Sequence, residues 1–383
     1  MKITDSIMYV GVDDHEIDLF EGQYDVPNGM AYNSYVIYDE KVAVMDSVDA
    51  RFGSAWLGNI AAALDGQEPD YLIVQHMEPD HSANITRFMD AYPNAQMVAS
   101  AKAFDMLSTL YGASYDDRRI VVKEGDELSL GGRTLRFIAA PMVHWPEVIF
   151  TYDPADKVLF SADAFGKFGA LDADEDWACE ARRYYFGIVG KFGKQVEGAL
   201  AKVAALDVQA ICPLHGPMLT EDLGYYIGLY KTWAAYEPES EGVSIAYCSV
   251  YGHTKEAVEL LARELEAAGC PKVAVADLAR DDMAEAVEDA FRYGALVLVS
   301  TTYNSDMFPF MKTFIDHLAD HAFQNRRVAF MENGTWAPNA ARVMRAKMEA
   351  CKNIEFVEPV VTIRGALSDE SRAAIKDLAA ALV

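Results

Sequence analysis

The stretch Tyr71-Leu72-Ile73-Val74-Gln75-His76-Met77-Glu78-Pro79-Asp80-His81 decides the reading of the first half of the chain. A strand-like apolar run passes directly into a segment with two histidines and two carboxylates. In extended or turning backbone the even members, His76, Glu78 and Asp80, point one way and His81 points another. One loop can therefore serve two metal ions. Further ligand-type residues stand just past three other apolar runs: His144 after Thr134–Ala140, Asp163 after Lys157–Ser161, and His215 after Val208–Cys212. Strand ends on one side of a sheet bring such residues together.

Each residue taken alone is ordinary, since lone histidines are usually satisfied or solvated and loop carboxylates usually face water. Their combination points to a dinuclear metal site. The set is four imidazoles and three carboxylates with no thiolate. Zinc tolerates such donors, but a carboxylate-rich, open site suits iron or manganese better. Asp163 has two oxygens and could bridge a pair of ions.

At 383 residues the chain exceeds one ordinary core and predicts two domains. Its 33 Lys and Arg against 59 Asp and Glu give a formal charge of −26, which disfavours nucleic acid and anionic membranes as partners. No run has the ~18 apolar residues of a membrane span. The start Met1-Lys2-Ile3-Thr4-Asp5 has no signal-peptide core. The five cysteines contain no Cys-x-x-Cys pair, which argues against a disulfide framework, a zinc ribbon or a rubredoxin-type iron site. A cytoplasmic protein with reduced thiols is expected.

Tyr236-Glu237-Pro238-Glu239-Ser240-Glu241-Gly242 reads as a linker, giving expected domains of residues 1–238 and 239–383. Upstream, short strands dominate, with helical stretches at Ala55–Leu64 and Phe186–Leu206, an α+β pattern. Downstream, five strand–helix units alternate, beginning at Val243–Cys248, Val273–Asp277, Ala295–Ser300, Arg327–Met331 and Phe356–Ile363. That alternation predicts a doubly wound parallel sheet, which binds ligands beyond the carboxyl ends of its strands.

Three loops lie at such ends. Ser249-Val250-Tyr251-Gly252-His253-Thr254 offers hydroxyls and backbone N–H groups at a helix start, a cradle for phosphate with no Lys or Arg in it. Thr301-Thr302-Tyr303-Asn304 follows the third strand, and Asn333-Gly334-Thr335-Trp336 the fourth. Tyr303 and Trp336 could flank a planar ring, although aromatics in loops are also commonly just packed. The loop has no Gly-Lys-Ser/Thr ending, as a P-loop would need, and the missing Gly-x-Gly-x-x-Gly after the first strand argues against a dinucleotide. The pattern resembles flavodoxin, and the resemblance implies FMN. His253 stands where relatives often have Asn or Gly.

The first half resembles the metallo-β-lactamase fold, with Glu78 where the hydrolases carry the second histidine of His-x-His-x-Asp-His. That replacement, His144-Trp145-Pro146-Glu147 and the following domain make essentially the whole chain similar to the flavodiiron proteins, or A-type flavoproteins. The resemblance implies a metallo-β-lactamase-like αββα sandwich followed by a flavodoxin-like doubly wound sheet. It implies two iron ions, one held by His76, Glu78 and His144, the other by Asp80, His81 and His215, with Asp163 between them. Electrons would pass from an external donor through FMN to the irons, reducing dioxygen to water, nitric oxide to nitrous oxide, or both. The interval from Asp163 to His215 is shorter than the family pattern, and Tyr184 and Tyr185 within it are candidates for a proton-handling group beside the irons. No rubredoxin-like or flavin-reductase extension follows Val383, so a separate donor is expected, a rubredoxin or a reduced deazaflavin. A head-to-tail homodimer or homotetramer is also implied. The alternative is a binuclear zinc hydrolase of thioesters or phosphodiesters fused to a flavodoxin-like module; Glu78 and the flavin loops count against it.

Overall fold

The computed structural model describes all 383 residues, in two compact units: Met1–Tyr185 with Phe192–Lys231, and Phe186–Lys191 with Thr232–Val383. No helix is long and apolar enough to cross a membrane.

The first unit is built on two facing sheets. One runs in the order Ile7–Tyr9, Tyr35–Ile37, Ala43–Met45, Tyr71–Ile73, Gln96–Ser100, Arg119–Val122. The other runs Glu127–Ser129, Thr134–Ala139, Ile149–Asp153, Val158–Phe160, Ala210–Cys212. Strand periodicity explains the packing. Tyr35, Ile37, Ala43, Met45, Tyr71 and Ile73 meet Leu135, Phe137, Ile149, Val158, Phe160 and Cys212 in a single core. The alternate residues Val36, Val44, Leu72 and Met97 are buried too. A strand buried on both faces has helices outside it, and the helices Gly53–Leu64, Ile85–Ala91 and Ala101–Tyr111 bury Trp56, Ile60, Phe88 and Leu107. Against the second sheet the helix Gly193–Val203 buries Val196, Ala199, Leu200 and Val203, a stripe at helical spacing. Lys202 Nζ reaches the carbonyl of Ala139 at 2.7 Å. The architecture is the αββα sandwich of the metallo-β-lactamases.

The second unit is a parallel sheet in the order Val273–Asp277, Ser240–Cys248, Tyr293–Tyr303, Arg327–Asn333, with Glu355–Phe356 and Val361–Ile363 sharing the far edge. This is the flavodoxin-like 2-1-3-4-5 order, with its switch point between Ser240–Cys248 and Tyr293–Tyr303. One core joins Ile245, Val297, Val299 and Met331 to Val258, Leu261, Ile375 and Leu378 of two helices. Arg326 is buried. Its guanidinium donates to the carbonyls of Tyr236, Phe291, Gln324 and Asn325, tying the segment before the first strand to the sheet.

Three readings of the sequence differ from the structure. The helix expected over Phe186–Leu206 starts earlier and is broken: α-helix over Trp177–Tyr184, a π-helical turn over Tyr185–Val189, a 3-10 turn over Gly190–Phe192, then α-helix over Gly193–Val203. The strand expected over Phe356–Ile363 is two short strands, because Pro359 has no N–H for the ladder. Ser240–Gly242, read as linker, already belong to the first strand of the second sheet.

Candidate metal centre and flavin pocket

Strand register assembles the metal loops. Met45 lies opposite Ile73 in a parallel pair, so Asp46 and His76 leave neighbouring strand ends. Phe160 lies opposite Cys212, and Asp163 and His215 each stand three residues beyond that pair. Met142, Ala162 and Phe165 adopt left-handed backbone in these loops, strain that surrounding contacts must hold.

All seven sequence candidates converge. His76, Glu78, His144 and Asp163 form one group and Asp80, His81 and His215 another, the donor atoms within each lying within 4.8 Å of one another. His76 Nε2 is 3.2 Å from His144 Nε2 and 3.3 Å from Glu78 Oε2, and His81 Nε2 is 2.9 Å from His215 Nε2. Asp163 divides between the groups. Its Oδ2 lies 3.3 Å from His76 Nε2 and 3.0 Å from His144 Nε2, while Oδ1 lies 3.4 Å from His81 Nε2 and 3.9 Å from His215 Nε2.

Hydrogen bonding leaves these donor atoms turned toward one another. The Nδ1 of His76 donates to Glu147 Oε1 at 2.8 Å, and that of His215 to the carbonyl of Ala31 at 2.8 Å. In the neutral imidazoles, therefore, both Nε2 atoms are bare lone pairs aimed inward. Both oxygens of Asp163 and both of Asp80 are buried without a hydrogen-bond partner. Lone pairs facing one another at about 3 Å suit donors around ions with bonds of about 2.1 Å. Burial disfavours charge on His76, but Asp163, Glu147 and Glu78 carry its pKa well above the ordinary value. Burial likewise opposes charge on His144, yet the facing carboxylates of Asp163 and Glu78 raise it to about 9. Burial pushes the Asp163 carboxyl up, and the facing histidines overcome this and hold it well below the usual carboxylate range.

Two positioning residues went unassigned in the sequence. Asp46 is buried, and its Oδ1 accepts the backbone N–H groups of Gln75 at 2.7 Å and His76 at 3.3 Å. Burial outweighs those bonds and pushes its carboxyl up to about 6. Glu147 Oε1 accepts from Met77 N at 2.8 Å as well as from His76. A carboxylate directly after a strand was the available signal for Asp46; for Glu147 it was the motif His144-Trp145-Pro146-Glu147. The Tyr184 ring packs 5.5 Å from that of His215 beside Phe20 and Phe168, and its buried hydroxyl has no hydrogen-bond partner. Tyr185 packs on Tyr230.

In the second unit a cavity of about 460 Å³ opens at the switch point. Val250, Tyr251, His253, Thr254, Thr301, Thr302, Tyr303, Asn304, Asn333, Gly334, Thr335 and Trp336 all line it. Ser249 and Gly252 shape the loop instead, Ser249 Oγ accepting from Gly252 N and Lys255 N at 3.2 Å each. Ser305, Ala337 and Gly365 line the cavity and were missed. Gly365 was within reach of the strand-end argument, since it follows the last strand. Its backbone is tied to the Asn333 side chain by bonds of 2.9 and 3.0 Å. Thr302 Oγ1 accepts from Asn339 N and Ala340 N, capping the next helix. Trp336 and Tyr251 are 82% and 93% exposed, so most of their surface lacks a protein partner.

Residues 30–216 match the ODP family beta lactamase model and residues 244–368 a flavodoxin domain model. A nitric oxide reductase from Moorella thermoacetica is 31% identical over 379 residues, 95% of this chain and 93% of that one. The chain belongs to the flavodiiron proteins. The flavodiiron protein of Giardia intestinalis superposes with a TM-score of 0.89 at 26% identity, covering 100% of this chain and 96% of that one. The rubredoxin oxygen:oxidoreductase of Desulfovibrio gigas shares the fold, with a TM-score of 0.92 at 24% identity over 100% and 97% of the two chains. Both modules of this flavodiiron chain thus keep the family order, sandwich first and flavodoxin-like sheet second.

Proposed function

We propose that the chain is a cytoplasmic reductase that passes electrons from a separate donor, through FMN, to a pair of irons that reduce dioxygen to water, nitric oxide to nitrous oxide, or both. The observation that carries this reading is the division of Asp163, one oxygen toward each group of ligands. His76, Glu78 and His144 would hold one iron, Asp80, His81 and His215 the other, and Asp163 would serve both. Bound there, the irons would supply a redox-active Lewis-acid pair, fed by a flavin that carries electrons singly or in pairs. The relatives named for nitric oxide reduction and for rubredoxin-coupled oxygen reduction support both substrates and a rubredoxin-type donor. A zinc hydrolase would leave the flavin pocket without a task.

The chain's own residues have separable duties. Glu147 and the Ala31 carbonyl fix the imidazoles of His76 and His215. Phe20, Tyr32 and Tyr184 pack around His215, and Trp145 against His76, which limits water at the donors. Tyr184 would keep its proton, since burial and then the charges of Asp163, Glu78 and Asp80 hold its pKa well above the ordinary value. Its hydroxyl is then a donor for an oxygen of the reacting molecule. Tyr184→Phe should slow turnover about tenfold or more at unchanged iron content; an unchanged rate would remove Tyr184 from the mechanism.

The exposed aromatics at the flavin pocket also support a head-to-tail homodimer or homotetramer, in which another copy covers that rim. Light scattering of the purified protein tests this, and a monodisperse monomer rejects it. The functional reading is tested by anaerobic purification, metal and flavin analysis, and turnover with reduced rubredoxin. Two irons and one FMN per chain, with consumption of dioxygen or nitric oxide, are expected. Stoichiometric zinc after growth in iron-rich medium would overturn it.

A further inference from the structure

No Lys, Arg, Asp or Glu lines the flavin pocket. The chain carries a net charge of −26, a field that opposes entry of a phosphate dianion. Within the phosphate loop, the N–H groups of Gly252 and Lys255 are turned onto Ser249 Oγ, and Thr254 Oγ1 is engaged with Thr301 Oγ1 at 3.0 Å. Several neutral donors of the cradle are thus already occupied. His253 remains. It opens the helix His253–Ala267, lines the cavity and leaves half of its side chain exposed, with Glu256 Oε2 3.8 Å from its Nδ1 as its one acidic neighbour. It is the only lining side chain able to carry a positive charge, and it sits where the helix dipole also favours an anion.

We propose that His253 is the specificity residue for the phosphorylated flavin: its imidazolium pairs with the phosphate, and the preference for FMN over riboflavin rests on that pair. This deepens the flavin reading of the pocket and depends on it. Ring contacts are common to both flavins, so His253 affects the phosphate alone.

The test uses the full-length chain with its flavin reversibly removed, titrated with FMN and with riboflavin by fluorescence quenching. His253→Gln should weaken FMN binding about tenfold, the worth of one charge-assisted hydrogen bond, and leave riboflavin unchanged. His253→Lys should restore FMN affinity. Lys376→Gln, which removes an exposed charge on the helix Asp369–Leu382 outside the cavity lining, should alter neither. An unchanged FMN-to-riboflavin ratio in His253→Gln, or an equal loss of both ligands, overturns the proposal. A wild-type chain that binds neither flavin overturns the flavin reading itself and this inference with it, whereas wild-type binding with an unaltered ratio in the variant overturns this inference alone.

Discussion

Asp163→Ala should yield a folded flavoprotein with no iron pair and at least about a thousandfold less turnover, the scale set by losing roughly 4 kcal/mol of transition-state stabilisation. The reason is position. Asp163 is fully buried, its two oxygens face different groups of imidazoles, and neither oxygen has a hydrogen-bond partner within the fold. Removing it therefore breaks no structural bond but takes one anionic donor from both metal positions. His76 and His144 also lose the charge that raises their pKa, so in the metal-free variant they should shed protons at lower pH than in wild type. The flavin is held by a separate core and should stay bound. Asp163→Asn is the sharper companion: its amide keeps one neutral oxygen and should retain iron at no more than one position. Iron and flavin analysis decides the matter. Two irons per chain in Asp163→Ala would sink the bridging role.

The candidate metal ligands were legible because strand ends concentrate chemistry. A parallel pair that ends in register delivers the residues three positions on to the same place, as with Asp163 and His215. The five-unit alternation gave the second sheet for a similar reason, since buried parallel strands read as continuous apolar runs. Strands such as Leu19–Phe20 and Tyr24–Asp25 escaped notice because two residues show no alternation. The break after Tyr184 escaped because the apolar spacing continues through it; Gly187, Gly190 and Gly193 were the available warning. The roles of Asp46 and Glu147 could not be read, because each depends on a contact between distant segments, 30 residues from Asp46 to His76 and 71 from His76 to Glu147.

Glu147 yields the second large effect, and it separates the two metal positions. Its carboxylate fixes the His76 tautomer through Nδ1 and holds the Met77 N–H, so it sets both the basicity and the aim of His76 Nε2. His215 takes its tautomer from the Ala31 carbonyl instead. Glu147→Gln keeps the shape and one acceptor but loses the charge, and should weaken iron at the His76, Glu78, His144 position by about 10–100-fold. Glu147→Ala should do worse, because the buried Met77 N–H then lacks a partner at a cost of about 1–3 kcal/mol in stability. In both variants the Asp80, His81, His215 position should hold iron nearly as in wild type. Stepwise removal of iron by a chelator would show one weak and one firm ion. Loss of both ions in parallel would mean that Glu147 supports the whole loop His76–His81 rather than one imidazole, and would shift the selective role to Asp163.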